Sequence, residues 1–532
     1  MIDHLRRWTL RLLLARLHTP RDVLRLACKR YADRPAIAMG ERRLSYAELG
    51  DRVLRIATLW RQWGIGHGAP VFCLLPDGIA QLVVRHAAAE AGVMLVQLPP
   101  DLDDAALRQA SDELAPQLIV HRRHHALPEG SARLWRLDES VEEALAAIIP
   151  EPDPRPLDPA TLAGLGYTSG TTGAPKVLTV SHGAHLTSLR QVVANIDVRQ
   201  RLAEPDRVLV GIPLGGAGSG LVLPTLLGGG CLIVPAHYDA DALLDALVAF
   251  RATRLFTTPS LLIDLLDHPD IDAADLSPLR HLIYGTELMP AAKLEEALTR
   301  FGPILQQGYG SAEVLPPVSL LAPRDHLQGD PQAITPQAAP RAVLMSAGRV
   351  VPGVSVRIVG DDGSTLAPGQ IGEVWVKSPT VFTGYWKRPD LTASTLRDGH
   401  LVTGDMGMLS ADGYLTLLGR KTDLIRRGTQ VIAPRLVEEA IHDHPAIKEA
   451  SLVQVGERAV LAVSLRRQWR GRQAPEQWRW QLLAHLADRI PDWQWPDDIV
   501  VLEELPRSRL CKVLRREVRA LLAARAAETC PA

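Results

Sequence analysis

A ten-residue run at 167–176 constrains the fold and the chemistry of this chain more than any other segment. It contains four Ser/Thr hydroxyl groups, two glycines and one lysine, in the order Tyr-Thr-Ser-Gly-Thr-Thr-Gly-Ala-Pro-Lys. A largely apolar segment precedes it at 162–165, and an alternating segment follows at 177–180. This pattern predicts a strand, a polar loop and a second strand. Backbone N–H groups, hydroxyl donors and one cation in such a loop can surround a polyanion, which points to a nucleotide triphosphate.

Two other phosphate-binding motifs do not fit the chain. A Walker A loop needs adjacent glycine and lysine with a helix behind them, whereas two residues separate Gly173 from Lys176 and a strand pattern follows. The glycine-rich segment 215–220 does not complete Gly-x-Gly-x-x-Gly, because Leu221 occupies the place of the third glycine. A dinucleotide-binding interpretation is therefore weak.

The run closely resembles the phosphate loop of the adenylate-forming superfamily, which comprises acyl- and aryl-CoA synthetases, luciferases and amino-acid adenylation domains. The resemblance implies that the chain activates a carboxylic acid with ATP. It assigns the loop to the β- and γ-phosphates, with Lys176 adding positive charge and Thr172 counted among the catalytic residues. The residues expected to wrap the phosphates are Thr168, Ser169, Gly170, Thr171, Thr172 and Gly173.

A second motif, Tyr-Gly-Ser-Ala-Glu at 309–313, resembles the superfamily pattern Y-G-x-T-E. By that resemblance Tyr309 stacks on adenine. Glu313 is expected to be catalytic and to hold Mg²⁺ on the phosphates, a role that suits a hard carboxylate oxygen. Ala312 replaces the usual threonine, so one hydrogen bond near the α-phosphate is expected to be missing.

A third motif, Thr-Gly-Asp at 403–405, matches the superfamily's T-G-D. The resemblance implies that Asp405 accepts hydrogen bonds from the ribose hydroxyls, as a carboxylate can, and that Arg420 contacts ribose or phosphate. Thr422 stands where the superfamily usually has Asp or Lys at its hinge. Gly428 stands where a small residue admits the pantetheine arm to the thiol tunnel, although alone it is also an ordinary turn glycine.

The segment 505–512, Leu-Pro-Arg-Ser-Arg-Leu-Cys-Lys, resembles the superfamily pattern P-R-T-x-S-G-K. Lys512 is then the catalytic lysine that reaches the substrate carboxylate and the α-phosphate during adenylation. A cation placed there stabilises the charge of the transition state. Leu510 and Cys511 replace Ser and Gly, so the flexibility of this loop is expected to differ from that of the superfamily.

Composition excludes several other classes of protein. The net charge is -1 over 532 residues, which gives no electrostatic case for a nucleic-acid partner. Five scattered cysteines without a CxxC pair form neither a disulfide framework nor a zinc site and fit a reducing compartment, so a cytoplasmic location is expected.

Segment 208–238 lacks Asp, Glu, Lys and Arg, but its eight glycines and three prolines favour buried strand, loop and packed helix over a membrane-spanning helix.

The first thirty residues are strongly basic. Two interpretations remain open for this segment. It could contact an anionic membrane surface peripherally, or it could form a solvated amphipathic helix that covers the domain, which is the favoured interpretation.

Alternating strand-like and helix-like patterns predict an α/β protein with parallel and mixed sheets. We expect a large N-terminal adenylation domain at 1–418, which includes a β-rich subdomain at about 345–418. A hinge is expected at 419–423. By resemblance a small, mobile α+β domain follows at 424–532.

The expected substrate is a non-amino carboxylic acid, fatty or aryl. Amino-acid adenylation domains place an Asp after the 208–212 strand to pair with the substrate ammonium, and no acid exists at 208–238; a buried ammonium without a counter-charge would be costly. CoA is the expected thiol acceptor. Transfer to a carrier-protein thiol, or intramolecular closure, is an alternative, and a non-catalytic nucleotide-binding homologue is a third hypothesis.

Two further groups are predicted to lie at the surface. His121, His124 and His125 form a cluster without a nearby cysteine and are expected in a surface loop rather than a metal site. Glu438 and Glu439 follow a proline in a predicted helix and are expected on its solvated face.

Overall fold

The computed structural model describes Leu14 and residues 16–122, 132–137, 144–168, 176–195, 205–328, 337–509 and 511–529. These residues form a mixed α/β protein with a large N-terminal part, as predicted. Its α-helices are Pro20–Arg30, Tyr46–Gln62, Ile79–Ala91, Asp104–Leu114, His182–Asn195, Val222–Leu227, Ala240–Ala249, Pro259–Leu266, Ala291–Phe301, Arg341–Leu344, Pro389–Thr395, Pro434–His442, Pro475–Ala487 and Arg515–Thr529. Short 3₁₀ helices are Ala217–Leu221, Pro323–His326, Lys421–Asp423, Arg467–Trp469 and Asp492–Gln494.

A nine-stranded sheet lies at the centre of the large part. Its middle strands are parallel and are joined by helical crossovers, and the pairs at its edges are antiparallel. Strands of this kind are buried on both faces, which is why they consist of continuous apolar runs such as 208–210. In spatial order the strands are Arg349–Val350, Ser319–Leu321, Leu305–Tyr309, His281–Gly285, Arg254–Thr257, Arg207–Val210, Cys231–Ile233, Pro35–Met39 and Arg42–Ser45.

A seven-stranded sheet contains the two strands that were predicted around the polar loop. Both are confirmed: Leu162–Thr168 and Lys176–Ser181 pair antiparallel. The loop residues 169–175 between them lie outside the described residues. In spatial order the strands are Gly384–Tyr385, Lys176–Ser181, Leu162–Thr168, Met94–Gln97, Pro70–Leu74, Leu118–His121 and Arg133–Arg136.

An antiparallel five-stranded sheet accounts for the predicted β-rich region. Its last strand extends to Arg420, so the first two residues of the expected hinge lie in a strand, and Lys421–Asp423 forms a 3₁₀ turn. Rotation about this hinge stays a prediction. The strands are Ser355–Val359, Gly372–Lys377, His400–Leu409, Leu396–Arg397 and Leu415–Arg420.

The C-terminal region has its own small core. Helices Pro434–His442 and Pro475–Ala487 pack on a three-stranded sheet through buried Ile441, Leu461 and Trp478. This sheet pairs its first two strands antiparallel and its last two parallel. Its strands are Ile447–Val455, Arg458–Leu465 and Asp498–Leu502, and a separate two-stranded pair before it joins Ile425–Arg427 with Gln430–Ile432. A further two-stranded pair, Leu327–Gln328 with Gln337–Ala338, belongs to the large part.

The basic N-terminal segment is described only in part. Helix Pro20–Arg30 buries Val23, Leu24 and Ala27 against the large part of the molecule, which favours the interpretation as a covering helix. Residues 1–13 lie outside the described part of the chain. No helix within the described residues is both long enough and apolar enough to cross a membrane.

Two surface predictions were wrong. His121 does not lie in a surface loop, because it ends the buried strand Leu118–His121; His124 and His125 lie outside the described residues. Glu438 and Glu439 do not face solvent: both are buried, and each accepts hydrogen bonds from a backbone N–H and an arginine. The described residues contain no cluster of His, Cys, Asp and Glu that could hold a metal ion.

Candidate active site

The candidate site lies where two neighbouring parallel strands end. Strands His281–Gly285 and Leu305–Tyr309 are paired with Gly285 opposite Gly308. Ligands of open α/β sheets bind in the crevice outside the carboxyl ends of such strands. Both Tyr309 and the segment that leads to Glu287 therefore stand at the edge where a ligand is expected.

Tyr309, Asp405 and Arg420 form a contiguous polar cluster at this edge. The Tyr309 hydroxyl donates to Asp405 Oδ2 at 2.6 Å, and Arg420 Nε lies 3.1 Å from Asp405 Oδ1. Asp405 and Arg420 face each other because they are register partners on antiparallel strands. The guanidinium also donates to the Thr403 carbonyl at 2.7 Å. The structure thus brings together three residues that the sequence predicted separately.

Burial dominates the electrostatics of this cluster. It raises the pKa of Tyr309 well above its usual value, and the Asp405 carboxylate raises it further. Burial also raises the pKa of Asp405, against the opposing effects of Arg420 and Tyr309. Among the described residues each oxygen of Asp405 has one donor, Tyr309 or Arg420, and each retains capacity for another. The carboxylate is therefore suited to accept two hydroxyl groups of a ligand.

Glu313 is linked to the strand that follows the polar loop. The Tyr385 hydroxyl donates to Glu313 Oε1 at 3.2 Å, and Tyr385 is the register partner of Leu178. The backbone of Glu313 is fixed as well, because its carbonyl accepts the Phe382 N–H at 2.8 Å. Glu313 thus offers a positioned carboxylate oxygen, the type of ligand that Mg²⁺ prefers.

The predicted phosphate loop is described only at its flanks. Thr168 ends one strand and Lys176 begins the next, and these two residues are register partners. Ser169, Gly170, Thr171, Thr172 and Gly173 lie outside the described residues. Their roles, and those of the Thr168 and Lys176 side chains, stay predictions.

Lys512 faces this site from the C-terminal region. It is largely buried, and burial lowers the pKa of its ammonium; the Glu287 carboxylate opposes that effect, and Arg420 adds to it. Lys512 is therefore within electrostatic reach of one member of the Tyr309–Asp405–Arg420 cluster. The catalytic role that the sequence assigned to Lys512 stays a prediction.

Gly428 occupies a turn between the short strands Ile425–Arg427 and Gln430–Ile432. Its φ of 60° lies in the left-handed region, which favours glycine whatever its surroundings. The structure thus explains this glycine by its backbone alone, and a role in a thiol tunnel stays a prediction.

Two carboxylates, Glu287 beside Lys512 and Asp77 beside segment 208–238, were not found from the sequence. Glu287 follows strand His281–Gly285, and burial raises its pKa to about 7, against the opposing charge of Lys512. Asp77 Oδ2 accepts hydrogen bonds from the Leu214 N–H and the Tyr238 hydroxyl, both at 2.9 Å. Asp77 therefore reaches segment 208–238 from a distant part of the chain. No local pattern marks either residue, because their partners come from other elements.

Comparison with known proteins identifies the family. Residues 24–386 match the AMP-binding enzyme family, and residues 436–512 match the AMP-binding enzyme C-terminal domain. The chain belongs to the AMP-binding enzyme family. The adenylate-forming superfamily predicted from the motifs is thereby confirmed.

Members of this family resemble the chain over nearly its whole length. A feruloyl-CoA synthase of an Amycolatopsis species is 32% identical over 494 residues, which are 91% of this chain and 95% of the relative. A medium/long-chain-fatty-acid–CoA ligase of Mycobacterium tuberculosis, FadD8, is 31% identical over 526 residues, 93% of this chain and 88% of the relative. The solved structure of the amide bond synthetase McbA of Marinactinospora thermotolerans has a TM-score of 0.78 and 27% identity, and the match covers 94% of this chain and 99% of that one.

Proposed function

We propose that this chain activates a non-amino carboxylic acid, fatty or aryl, with ATP to give an acyl-adenylate, and then forms a thioester with CoA. The observation that supports this most is the cluster of Tyr309, Asp405 and Arg420, with Lys512 of the C-terminal matched region close enough to interact electrostatically with Arg420. The curated relatives are named as a CoA synthase and a CoA ligase, which supports an AMP-forming acid–thiol ligase.

Adenylation is the attack of a carboxylate oxygen on the α-phosphorus of ATP, with pyrophosphate as the leaving group. The protein must hold these groups in line and offset the negative charge that develops. Asp405 would accept the ribose hydroxyls, Tyr309 would stack on adenine, and Arg420 would contact ribose or phosphate. Lys512, held in a largely buried position, would stabilise the charge around the α-phosphate at low dielectric, where a cation is most effective.

Glu313 is the proposed ligand of Mg²⁺, and its donor chemistry fits that ion. The Tyr385 hydroxyl donates to one carboxylate oxygen, and the other has no donor among the residues that the structure describes. A bound Mg²⁺ neutralises phosphate charge. The loop 168–173 and Lys176 would hold the β- and γ-phosphates. Mg²⁺ binding, these loop contacts, the thiol-tunnel role of Gly428 and a cytoplasmic location stay predictions.

The surroundings of Asp77 bear on the class of acid. Its carboxylate lies beside segment 208–238, where an amino-acid substrate would need a counter-charge. However, two donors already occupy Asp77 Oδ2, and the Arg85 guanidinium, which donates to the Leu214 carbonyl at 3.0 Å, interacts electrostatically with it. This carboxylate is therefore compensated within the protein, which supports a substrate without an ammonium group.

A second candidate keeps adenylation but replaces CoA as the acceptor. The 27% identity to an amide bond synthetase favours it, because that protein's name describes a product other than a thioester. Transfer to a carrier-protein thiol or intramolecular closure belongs to the same candidate. A carrier protein or CoA would be the partner in the thiol-dependent versions.

The experiment is acid-dependent exchange of pyrophosphate into ATP over a panel of fatty, aryl and amino acids, followed by mass spectrometry of products formed with CoA. Exchange with a fatty or aryl acid and a CoA thioester supports the proposal. Exchange without a thioester favours the second candidate. Absence of exchange with every acid favours a non-catalytic homologue.

The Lys512→Ala variant tests the proposed role of this lysine. Loss of one preorganised group that stabilises transition-state charge costs about 10²- to 10³-fold in rate, so we expect exchange to fall by that order while ATP still binds. Lys377→Ala, which removes an exposed lysine at the end of strand Gly372–Lys377, serves as the control. Unchanged exchange in Lys512→Ala would rule out the assignment.

A further inference from the structure

The segment that contains Lys512 is a short hairpin. Arg507 and Val513 form an isolated antiparallel bridge at its base. Inside it, the Ser508 N–H donates to the Lys512 carbonyl at 2.7 Å, and the Cys511 N–H donates to the Ser508 carbonyl at 2.8 Å. We refer to residues 507–513 as the lysine hairpin; the structure describes all of them except residue 510.

Asp264 fixes the first residue of the lysine hairpin, Arg507, to the large part of the molecule. This residue lies on helix Pro259–Leu266, and both of its carboxylate oxygens accept hydrogen bonds from the Arg507 guanidinium. Arg507 also donates to Glu449 Oε2 at 2.6 Å, and Lys448 Nζ lies 2.8 Å from Asp264 Oδ1. A bidentate arginine–carboxylate contact fixes orientation as well as distance.

Glu287 interacts with the last two residues of the lysine hairpin, Lys512 and Val513. The Val513 N–H and the Lys512 ammonium both act on its carboxylate and favour its charged form. Glu287 Oε2 accepts the Ser260 hydroxyl at 3.3 Å, whereas Oε1 is buried and has no hydrogen-bond partner within the described part of the chain. A buried carboxylate oxygen without a donor is costly unless a nearby positive charge compensates it.

We propose that Asp264 and Glu287 form a carboxylate clamp that positions Lys512 for adenylation, Asp264 by holding Arg507 and Glu287 by offering its buried Oε1, which has no hydrogen-bond donor among the described residues, to the Lys512 ammonium. This inference rests on the adenylating function proposed above. The clamp joins the two family-matched regions, because both carboxylates belong to 24–386 and the hairpin positions from 507 to 512 belong to 436–512. The two carboxylates are positioning residues, since they act on the reaction only through Lys512.

Hydrogen exchange measured by mass spectrometry tests the clamp without requiring activity. The wild-type chain is compared with Asp264→Asn, Glu287→Ala and the matched control Glu296→Gln. The control also removes a carboxylate that pairs with the C-terminal region, because Glu296 binds Arg466, but it does not touch the lysine hairpin. We expect exchange of the hairpin amides to accelerate on the order of tenfold in the two clamp variants, which corresponds to about 1.4 kcal/mol of lost local stability, and to stay unchanged in the control.

Pyrophosphate exchange then tests whether the clamp acts through Lys512. Asp264→Asn and Glu287→Ala should each lower the rate, whereas each of them combined with Lys512→Ala should be no slower than Lys512→Ala alone, as expected for residues that act as a unit. Equal hydrogen exchange in the wild type and the clamp variants overturns the proposal. Unchanged pyrophosphate exchange in the single clamp variants also overturns it, as do losses of rate in the double variants that equal the sum of the two single losses in free energy. If the wild type activates no acid, the proposed function fails, while hydrogen exchange still decides whether the clamp exists.

Discussion

At the scale of single residues, the structure explains one departure from the superfamily motif. Cys511 replaces the usual glycine of the lysine loop and has a φ of 57°, in the left-handed region. A non-glycine residue there costs about 1–2 kcal/mol. The Cys511 thiol contacts the Tyr238 carbonyl at 3.2 Å, which offsets part of that cost. The chain therefore keeps the backbone shape of a glycine while adding a side-chain contact to the large part of the molecule.

Tyr309 gives the prediction at this scale. Tyr309→Phe retains the ring for stacking but removes the hydroxyl that donates to Asp405 at 2.6 Å. Hydrogen bonds to charged groups contribute about 1.5–3 kcal/mol, and Asp405 would lose both charge stabilisation and orientation. We expect the Kd for ATP, measured by calorimetry, to rise about tenfold. Tyr414→Phe, in which the ring keeps its position over Arg349, is the control, and an unchanged Kd in Tyr309→Phe would contradict the role of this hydroxyl.

At the scale of elements, helix Pro434–His442 joins the two parts of the molecule. Glu439 on this helix accepts the Ala291 N–H at 3.0 Å, at the start of helix Ala291–Phe301, and forms an ion pair with Arg435. A carboxylate at a helix N-terminus satisfies a free N–H group and interacts favourably with the helix dipole.

We therefore expect Glu439→Ala to lower the free energy of unfolding by about 3–5 kcal/mol, because it leaves the buried Arg435 without this partner. Urea titration provides the measurement. Glu295→Ala, on the exposed face of helix Ala291–Phe301, should change stability by less than about 0.5 kcal/mol. Equal free energies of unfolding in the two variants would show that the contacts of Glu439 with Ala291 and Arg435 do not stabilise the attachment of the C-terminal region.

The same helix shows where prediction from sequence ends. Its existence and bounds follow from local pattern, as do the strands on both sides of the polar loop. The environment of Glu439 does not follow, because its partners Ala291 and Arg341 lie far away in the chain. A helix enclosed between two parts of a protein buries charged residues that a helix with one solvated face would expose.

At the scale of the whole molecule, the motifs predicted the site better than they predicted how its two parts are joined. Tyr309, Asp405, Arg420 and Lys512 could be found because each stands in a short pattern with a chemical reason. The joining contacts are pairs between distant segments, such as Asp264 with Arg507 and Glu296 with Arg466, and neither partner alone has a distinctive sequence context. Ion pairs between such distant segments can be recognised only once the three-dimensional structure is known.

We expect Lys293 to make this junction sensitive to pH. It is 1% exposed, and its Nζ donates to the Ile447 carbonyl of the C-terminal region at 2.6 Å. Burial, with a further contribution from Arg466, lowers the pKa of Lys293 to about 7, whereas an unfolded lysine titrates near 10.4. Between these values the unfolded chain binds the additional proton, so the contribution of Lys293 to stability rises with pH and is lost as pH falls through 7.

Lys293→Met should remove this pH dependence while filling a similar volume. Glu296 would still bind Arg466, so no carboxylate is left without a partner. Relative to the wild type, the variant should therefore gain stability at pH 7, and this advantage should shrink by about 2 kcal/mol between pH 7 and pH 9. Urea titrations at both pH values measure the difference, with Lys377→Met as the exposed control. A stability difference that is the same at both pH values would show that Lys293 stays charged in the folded protein and that another group sets the pH response of the junction.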